Sequence, residues 1–343
     1  MTVIATAILM VSCVRDEVVS SSYDPMRSET ICFGDASDWG EMESVTRGGA
    51  TANRLGKHDL TSADGDFTLP MGVYVENGIH SINTPETRGS VVSSKEGISN
   101  FNVWATLTKS DNSTMNYFSN VAYQKKDDNV FYPVNQDEEY YWPGPGSGTL
   151  DFTAVANTPE SGFTANMTGD ALTSFSYTVP ADATQQPDIM VATVDDIDGA
   201  RNASVPLNFK HIMSAVNVKI GTMPSSGGVI KSMKFKNIYN SGTYNYKTET
   251  WLRAGTKADF PILSNGNASF TPGNTGSIVN AEDYTLMMLP QIIADDAVLE
   301  IVFQYSGASE VTLTAPIAKN EEGVYYEWEK GKTTYYTISI DEN

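Results

Sequence analysis

The residues of widest chemical range in this 343-residue chain are three histidines, His58, His80 and His211, and they stand far apart. None has a metal-ligand spacing, and the i, i+4 histidine pair of a zinc helix is absent. So are a nucleophile elbow, a phosphate-cradling glycine loop and any Cys-x-x-Cys pair. His211 lies in Phe209-Lys-His-Ile-Met-Ser-Ala-Val216, with no partner carboxylate close behind it. A structural hydrogen bond to Ser214 or to backbone is therefore expected there. Asp195, Asp196 and Asp198 with Gly199 approach a calcium loop, yet Val194 stands at its first position and no bidentate acid closes it. A solvated linker fits them better. The stretch Gln136-Asp-Glu-Glu-Tyr-Tyr-Trp142 sets acids beside aromatic rings. It suits either sugar stacking or a core anchor at a strand end, and the run into Pro143-Gly144 favours the anchor. Nothing here makes an enzyme, and no metal or cofactor is expected.

The two cysteines carry a different chemistry. Residues 1–12 form an apolar run too short to span a bilayer but of the length of a secretory signal core. A basic segment in front of it is missing, so the true start is expected upstream. Leu9-Met-Val-Ser12 before Cys13 resembles a bacterial lipobox, which makes Cys13 the lipidation site. Arg15, Asp16 and Glu17 then resemble the surface-export signal of Bacteroidia lipoproteins, and residues 18–28 read as a flexible tether. With Cys13 lipidated, Cys32 is expected to be an unpaired, buried thiol between Ile31 and Phe33.

Charge narrows the partners. Lys and Arg number 22 against 42 Asp and Glu, a formal charge of −20. Nucleic acid needs a basic face and is excluded. An acidic, self-repelling surface suits an exported protein.

The elements that must position these residues are strands. Beyond Gly48 the dominant period is two, as in Phe101-x-Val103-x-Ala105-x-Leu107, Leu299-x-Ile301-x-Phe303-x-Tyr305 and Val311-x-Leu313-x-Ala315-x-Ile317. Turn clusters such as Asp64-Gly65, Pro143-Gly-Pro-Gly146 and Asn265-Gly266 separate the segments. Antiparallel sandwiches follow. The chain is long enough for two cores. A polar stretch near 195–204 predicts a boundary, and Phe209–Val216 holds at most two helical turns. The expected division is 1–12 signal, 13–47 lipidated propeptide with a first strand, 48–198 N-terminal β-sandwich and 199–343 C-terminal β-sandwich. Thr30-Ile-Cys-Phe33 reads as that first strand, and Gly48-Gly-Ala-Thr-Ala52 as a small-residue loop open to a protease.

In order along the chain, several segments resemble the fimbrillin-like proteins, subunits of the type V pili of Bacteroidia. They are Thr30-Ile-Cys-Phe33 ahead of Thr46-Arg-Gly48, Phe67–Tyr74, Tyr140–Gly144 leading into Leu150–Ala154, and Asp188–Ala192. Val205–His211 with Ser214–Lys219, Met288-Leu-Pro-Gln291, and Trp328–Lys332 with Tyr335–Ile340 continue the series. The resemblance implies an all-β fold of two transthyretin-like sandwich domains, export as a lipoprotein and cleavage by an Arg-specific protease. By motif position the cut falls between Arg47 and Gly48, with Arg27, Arg54 and Arg88 as alternatives.

Removal of the first strand then uncovers a groove that Ile31 and Phe33 filled, and a strand from another subunit takes their place. Stalk relatives carry a donor segment past the last strand. This sequence stops at Asn343, so a tip or minor subunit with an adhesive role is expected. The implied partners are other pilus subunits, a maturation protease and a host or bacterial surface ligand. The precursor sits on the outer membrane through its lipid, and the mature form in the fimbrium. The competing expectation is a non-polymerising surface lipoprotein that binds glycan or a host protein.

Overall fold

The computed structural model describes residues 30–35, 53–79, 97–200, 203–221, 228–263, 268–270, 285–305 and 307–339. The period of two becomes strands with the alternating burial it predicts. In β4 (Asn100–Thr108), Phe101, Val103, Ala105 and Leu107 face one core while Trp104 faces another. No α-helix occurs among the described residues, and Phe209–Val216 holds the short strand Lys210–His211 and the start of the strand Ser214–Ile220 rather than helical turns.

An eight-stranded sheet runs in the order β11 (Val205–Leu207), β1 (Phe33–Asp35), β6 (Phe131–Pro133), β5 (Thr114–Lys125), β4, β7 (Thr149–Ala156), β10 (Met190–Asp198) and β12 (Lys210–His211). A ten-stranded sheet follows the path β17 (Lys257–Leu263), β14 (Gly228–Tyr239), β21 (Val298–Tyr305), β22 (Glu310–Pro316), β2 (Asn53–Ser62), β3 (Thr68–Asn77), β24 (Lys332–Ile338), β13 (Ser214–Ile220) and β19 (Leu286–Met288). Off that path, β18 (Ala268–Phe270) pairs with β14. Four strands, β16 (Thr250–Arg253), β15 (Ser241–Asn245), β9 (Ala171–Thr178) and β8 (Phe163–Thr168), form a third sheet. The short pair β20 (Gln291–Ile292) and β23 (Glu327–Trp328) completes the set. Among the described residues all pairs are antiparallel except β1 with β11 and β13 with β24.

Two cores result. The smaller is lined by the eight-stranded sheet, from Phe33 and Phe101 through Phe152 to Val205 and Leu207. The larger gathers the inner faces of the ten- and four-stranded sheets, and Trp104, Val155 and Val191 reach it from the back of the first sheet. Strands β4, β7 and β10 thus bury both faces.

Each of the three large sheets draws strands from both sides of residue 199. Strands β2 and β3 pair with β22 and β24, while β11 and β12 join the first sheet and β15 pairs with β9. The polar stretch 195–198 is also not a linker. It is the end of β10, which continues through a bulge between Val194 and Ile197 with Asp196 at φ 57°.

Candidate functional site

The first described segment, 30–35, does not lie on the surface. Ile31, Cys32 and Phe33 are each 0% exposed. Strand β1 is interior to its sheet, parallel to β11 through Phe33–Val205, Gly34–Pro206 and Asp35–Leu207. On its other edge Phe33 pairs antiparallel with Phe131. Two further bonds hold it. The Ile31 N–H donates to the Tyr140 carbonyl at 2.8 Å, and the Val205 N–H donates to the Cys32 carbonyl at 3.0 Å. Thr30 bridges to Tyr141.

The side chains explain why the segment goes inside. Ile31 and Phe33, two residues apart, project from one face into the smaller core. The Phe33 ring stands edge-on to Tyr123, Phe152 and Phe101, at centroid distances of 4.8, 5.3 and 5.9 Å. The Tyr123 hydroxyl donates to the Ile31 carbonyl at 3.4 Å. Burial, helped by Tyr140 and Glu138, pushes that phenol well above its ordinary pKa, so it stays protonated as a donor. Gly34 passes close to Ser204, where an added Cβ would lie 3.0 Å from Oγ and 3.4 Å from Cβ. The frame therefore accepts an aliphatic and an aromatic residue two apart, followed by a residue of minimal size.

Strand β11 depends on this segment. It is the edge of the sheet, and its one ladder partner among the described residues is β1. Chain reading alone missed that dependence. The alternation Val205-x-Leu207 was visible, but nothing local says which strand it pairs with.

Cys13, Arg47 and Gly48 lie outside the described residues, as do His80, Arg27 and Arg88. Arg54 lies within β2 and pairs with Tyr74. Cys32 is disulfide-bonded rather than an unpaired thiol, which corrects that expectation.

The other polar candidates separate. His58 sits on β2 with its ring 5.4 Å from that of Tyr326, and burial lowers its pKa against the pull of Glu321 and Asp59. His211 is bonded to neither Ser214 nor backbone. Its Nδ1 meets the buried Asp188 carboxylate at 2.9 Å. That partner lies upstream in sequence, where a search downstream of His211 does not find it. Burial alone would lower the His211 pKa, but the charge of Asp188 and its hydrogen bond outweigh that and raise it. The Asp195–Asp198 stretch packs beside Asp151, whose carboxylate accepts the Asp196 N–H at 2.8 Å. Burial raises the Asp195 pKa, and the charges of Asp151 and Asp196 add to it. No group of three metal-ligating side chains converges among the described residues. In the 136–142 stretch Trp142 is the core anchor, its ring 6.2 Å from Phe152, while Tyr141 is exposed and the Tyr140 ring packs 4.6 Å from Phe118. Among the described residues no helix is long and apolar enough to cross a membrane.

The model of the fimbrillin-like family matches residues 87–343. Among solved structures, a fimbrial protein from Bacteroides vulgatus superposes with a TM-score of 0.52 at 14% identity, covering 70% of this chain and 88% of its own. A protein designated a cell adhesion protein, from Bacteroides uniformis, gives a TM-score of 0.46 at 14% identity, covering 71% of this chain and 87% of its own. No curated protein matches the sequence. The family model spans three quarters of the residues and the fimbrial structure shares the all-β fold, so the chain belongs to the fimbrillin-like family.

Proposed function

We propose that this chain is a subunit of a cell-surface fimbrium whose first strand is a temporary plug. It is exported as a lipoprotein through Cys13, cut between Arg47 and Gly48, and then joined to its neighbour by a strand that enters the place of Ile31–Phe33. The observation that carries the reading is the double pairing and complete burial of a short segment at the start of the described chain. Burial of Ile31 and Phe33 stabilises the fold by about 1.5–3 kcal/mol each, so an open slot is costly and a replacement strand is favoured. The exposed backbone groups would be the Val205 N–H, the Tyr140 carbonyl and the facing edges of β11 and β6. A donor strand satisfies them by ladder bonds and fills the side-chain pockets.

Arg54 is a poor substrate by comparison with Arg47, because a protease needs extended chain and Arg54 is held in the β2–β3 ladder. The tip or minor role draws support from β24. It is hydrogen-bonded to β3 on one edge and to β13 on the other, so it is not free to be given to a neighbour. Lipidation consumes the Cys13 thiol in a thioether, so Cys32 in the lipidated precursor must be reduced. Thiol titration of the denatured precursor decides this, with one reactive thiol expected and none contradicting the lipid anchor.

The test of the whole reading is the first residue of the mature protein on cells, expected to be Gly48. Arg47→Ala is expected to leave a folded precursor that does not enter sheared fimbriae. Normal levels of that variant in the fimbrial fraction would overturn the proposal.

A further inference from the structure

The four-stranded sheet ends on β8, and the ladders beside it fix which way that strand's backbone points. The Val179 N–H donates to the Asn240 carbonyl at 2.7 Å, and the Tyr246 N–H to the Thr173 carbonyl at 3.2 Å. Odd-numbered residues from Thr173 to Val179 therefore bond toward β15, and even-numbered ones toward β8. The Thr178 N–H accordingly donates to the Gly162 carbonyl at 2.9 Å. In that register the backbone groups of Thr164 and Asn166 face β9, while the N–H and C=O of Phe163 and Ala165 point off the sheet. Among the described residues no strand pairs with that edge.

β8 also lacks the devices that blunt exposed edges, which are charge, proline and brevity. β17 carries Lys257, Asp259 and Pro261, β16 carries Arg253, and β11 carries Pro206. β12 has two residues and β19 three. β8 runs Phe163-Thr-Ala-Asn-Met-Thr168, six residues without a charge or a proline, and it stays regular up to the bulge between Asn166 and Met167. The outer face beside it is equally uncharged. The rows that cross the sheet at Thr164 and at Asn166 hold only Ser, Thr, Asn and Leu side chains. Asn166 Nδ2 donates to Ser176 Oγ at 3.1 Å, and the Ser176 and Thr243 hydroxyls lie 3.1 Å apart. A chain of formal charge −20 repels its own copies, and over this edge that repulsion is least.

We propose that two copies of this chain pair through β8, antiparallel about a twofold axis, so that their four-stranded sheets become one continuous sheet. The edge is self-complementary. One register matches both outward residues, Phe163 with the partner's Ala165 and Ala165 with the partner's Phe163, each pair exchanging both N–H···O bonds. On the inner face a ring then stands beside a methyl group, and both half-buried side chains lose exposure. On the outer face Thr164 meets its own copy across the axis, and Glu160 falls opposite the partner's Thr168 rather than another acid. A strand edge alone buries less than the roughly 1,200–2,000 Å² of a stable complex. A dimer Kd of about 0.1–1 mM is therefore expected. The pairing needs neither the cut after Arg47 nor the departure of β1, so it stands or falls apart from them.

Sedimentation equilibrium of the full chain up to about 1 mM tests it, in about 0.5 M salt to screen the charge. A reversible monomer–dimer equilibrium is expected. Ala165→Pro deletes an N–H that points off the sheet and spares the β8–β9 ladder. It is expected to weaken dimerisation at least about tenfold while thermal unfolding stays at the parent's temperature. Thr164→Lys, which sets two like charges face to face across the axis, replaces it if the proline variant does not fold. Leu252→Ser removes the most exposed large apolar side chain among the described residues, at 77%, and is expected to change nothing. Air oxidation reads the register. Across the axis the Cα atoms of residue 164 lie about 4.5 Å apart, so Thr164→Cys is expected to cross-link, whereas Thr168→Cys is not. The parent, with its native cysteines, is the blank. The proposal is overturned if the chain stays monomeric at about 1 mM, if the β8 variants dimerise as tightly as the parent, or if Thr168→Cys cross-links as fast as Thr164→Cys.

Discussion

Phe33→Ala in the uncut chain removes the ring that three aromatic neighbours surround. Phe33 is 0% exposed, and the rings of Tyr123, Phe152 and Phe101 stand edge-on to it at 4.8–5.9 Å. Truncating such a side chain costs about 3–5 kcal/mol in lost transfer energy and cavity formation. That is a large share of the roughly 5–15 kcal/mol that holds a domain together. Urea unfolding followed by tryptophan fluorescence reads it, since Trp142 lies in the same core with its ring 6.2 Å from Phe152. The plug reading adds a second arm. In protein already cut after Arg47 and freed of the first strand, a peptide spanning residues 28–36 is expected to raise stability by about 2.7 kcal/mol at a hundredfold excess over its Kd. The same peptide with alanine for Phe33 is expected to do much less. A loss below about 1 kcal/mol in the uncut chain, or equal rescue by both peptides, would refute the claim that this segment fills a slot.

Two other outcomes follow from the same geometry. Gly34→Val is expected to destabilise the uncut chain by about 1–3 kcal/mol, because its Cβ meets Ser204 Oγ at 3.0 Å. The Ser204→Gly background should relieve most of that, and an unchanged penalty there would place the strain elsewhere. For His211, the folded pKa is raised above 6.5 although burial opposes it, because Asp188 outweighs that burial. Its stabilisation is therefore complete below the unfolded value and is lost as pH rises through the folded one. The difference in urea midpoint between the parent and His211→Asn should shrink from pH 6 to pH 9. A difference that grows with pH would reverse the assignment.

Strands were legible because burial imposes a period of two, which β21 and β22 follow and which β4 follows except at Trp104, buried on its other face. Their partners were not. Alternation says that Val205 and Leu207 share a face, but it does not say that the neighbour is a segment about 170 residues earlier. The expected division near residue 199 drew on a polar run at 195–204, of which 195–198 is a bulged strand end. A bulge sets consecutive polar residues outward and breaks the alternation without ending the ladder. His211 was misread for a similar reason, since β10 and β12 bring Asp188 to it across the sheet. The apolar run Ile31-Cys32-Phe33 suggested burial, and the resemblance to the fimbrillin-like family supplied the groove that Ile31 and Phe33 fill.

The position of β1 gives its removal a consequence that its length would not suggest. Three ladder residues are few, but β11 has no other described partner and leads directly through Phe209 to the partly buried His211, which pairs with Met190 of β10. From there the chain enters β13, which lies inside the ten-stranded sheet beside β24. The segment that β1 and β10 hold between them is thus a crossing between the two cores. If β1 were removed as proposed, β11 would lose its one described ladder partner, and a two-residue side-chain pattern would be the least that restores that register. A replacement strand would then need the apolar pair and the small residue after it, whatever else it carried. On the proposed exchange the slot would select its occupant by shape at three positions, with the ladder on either side supplying adhesion without regard to sequence.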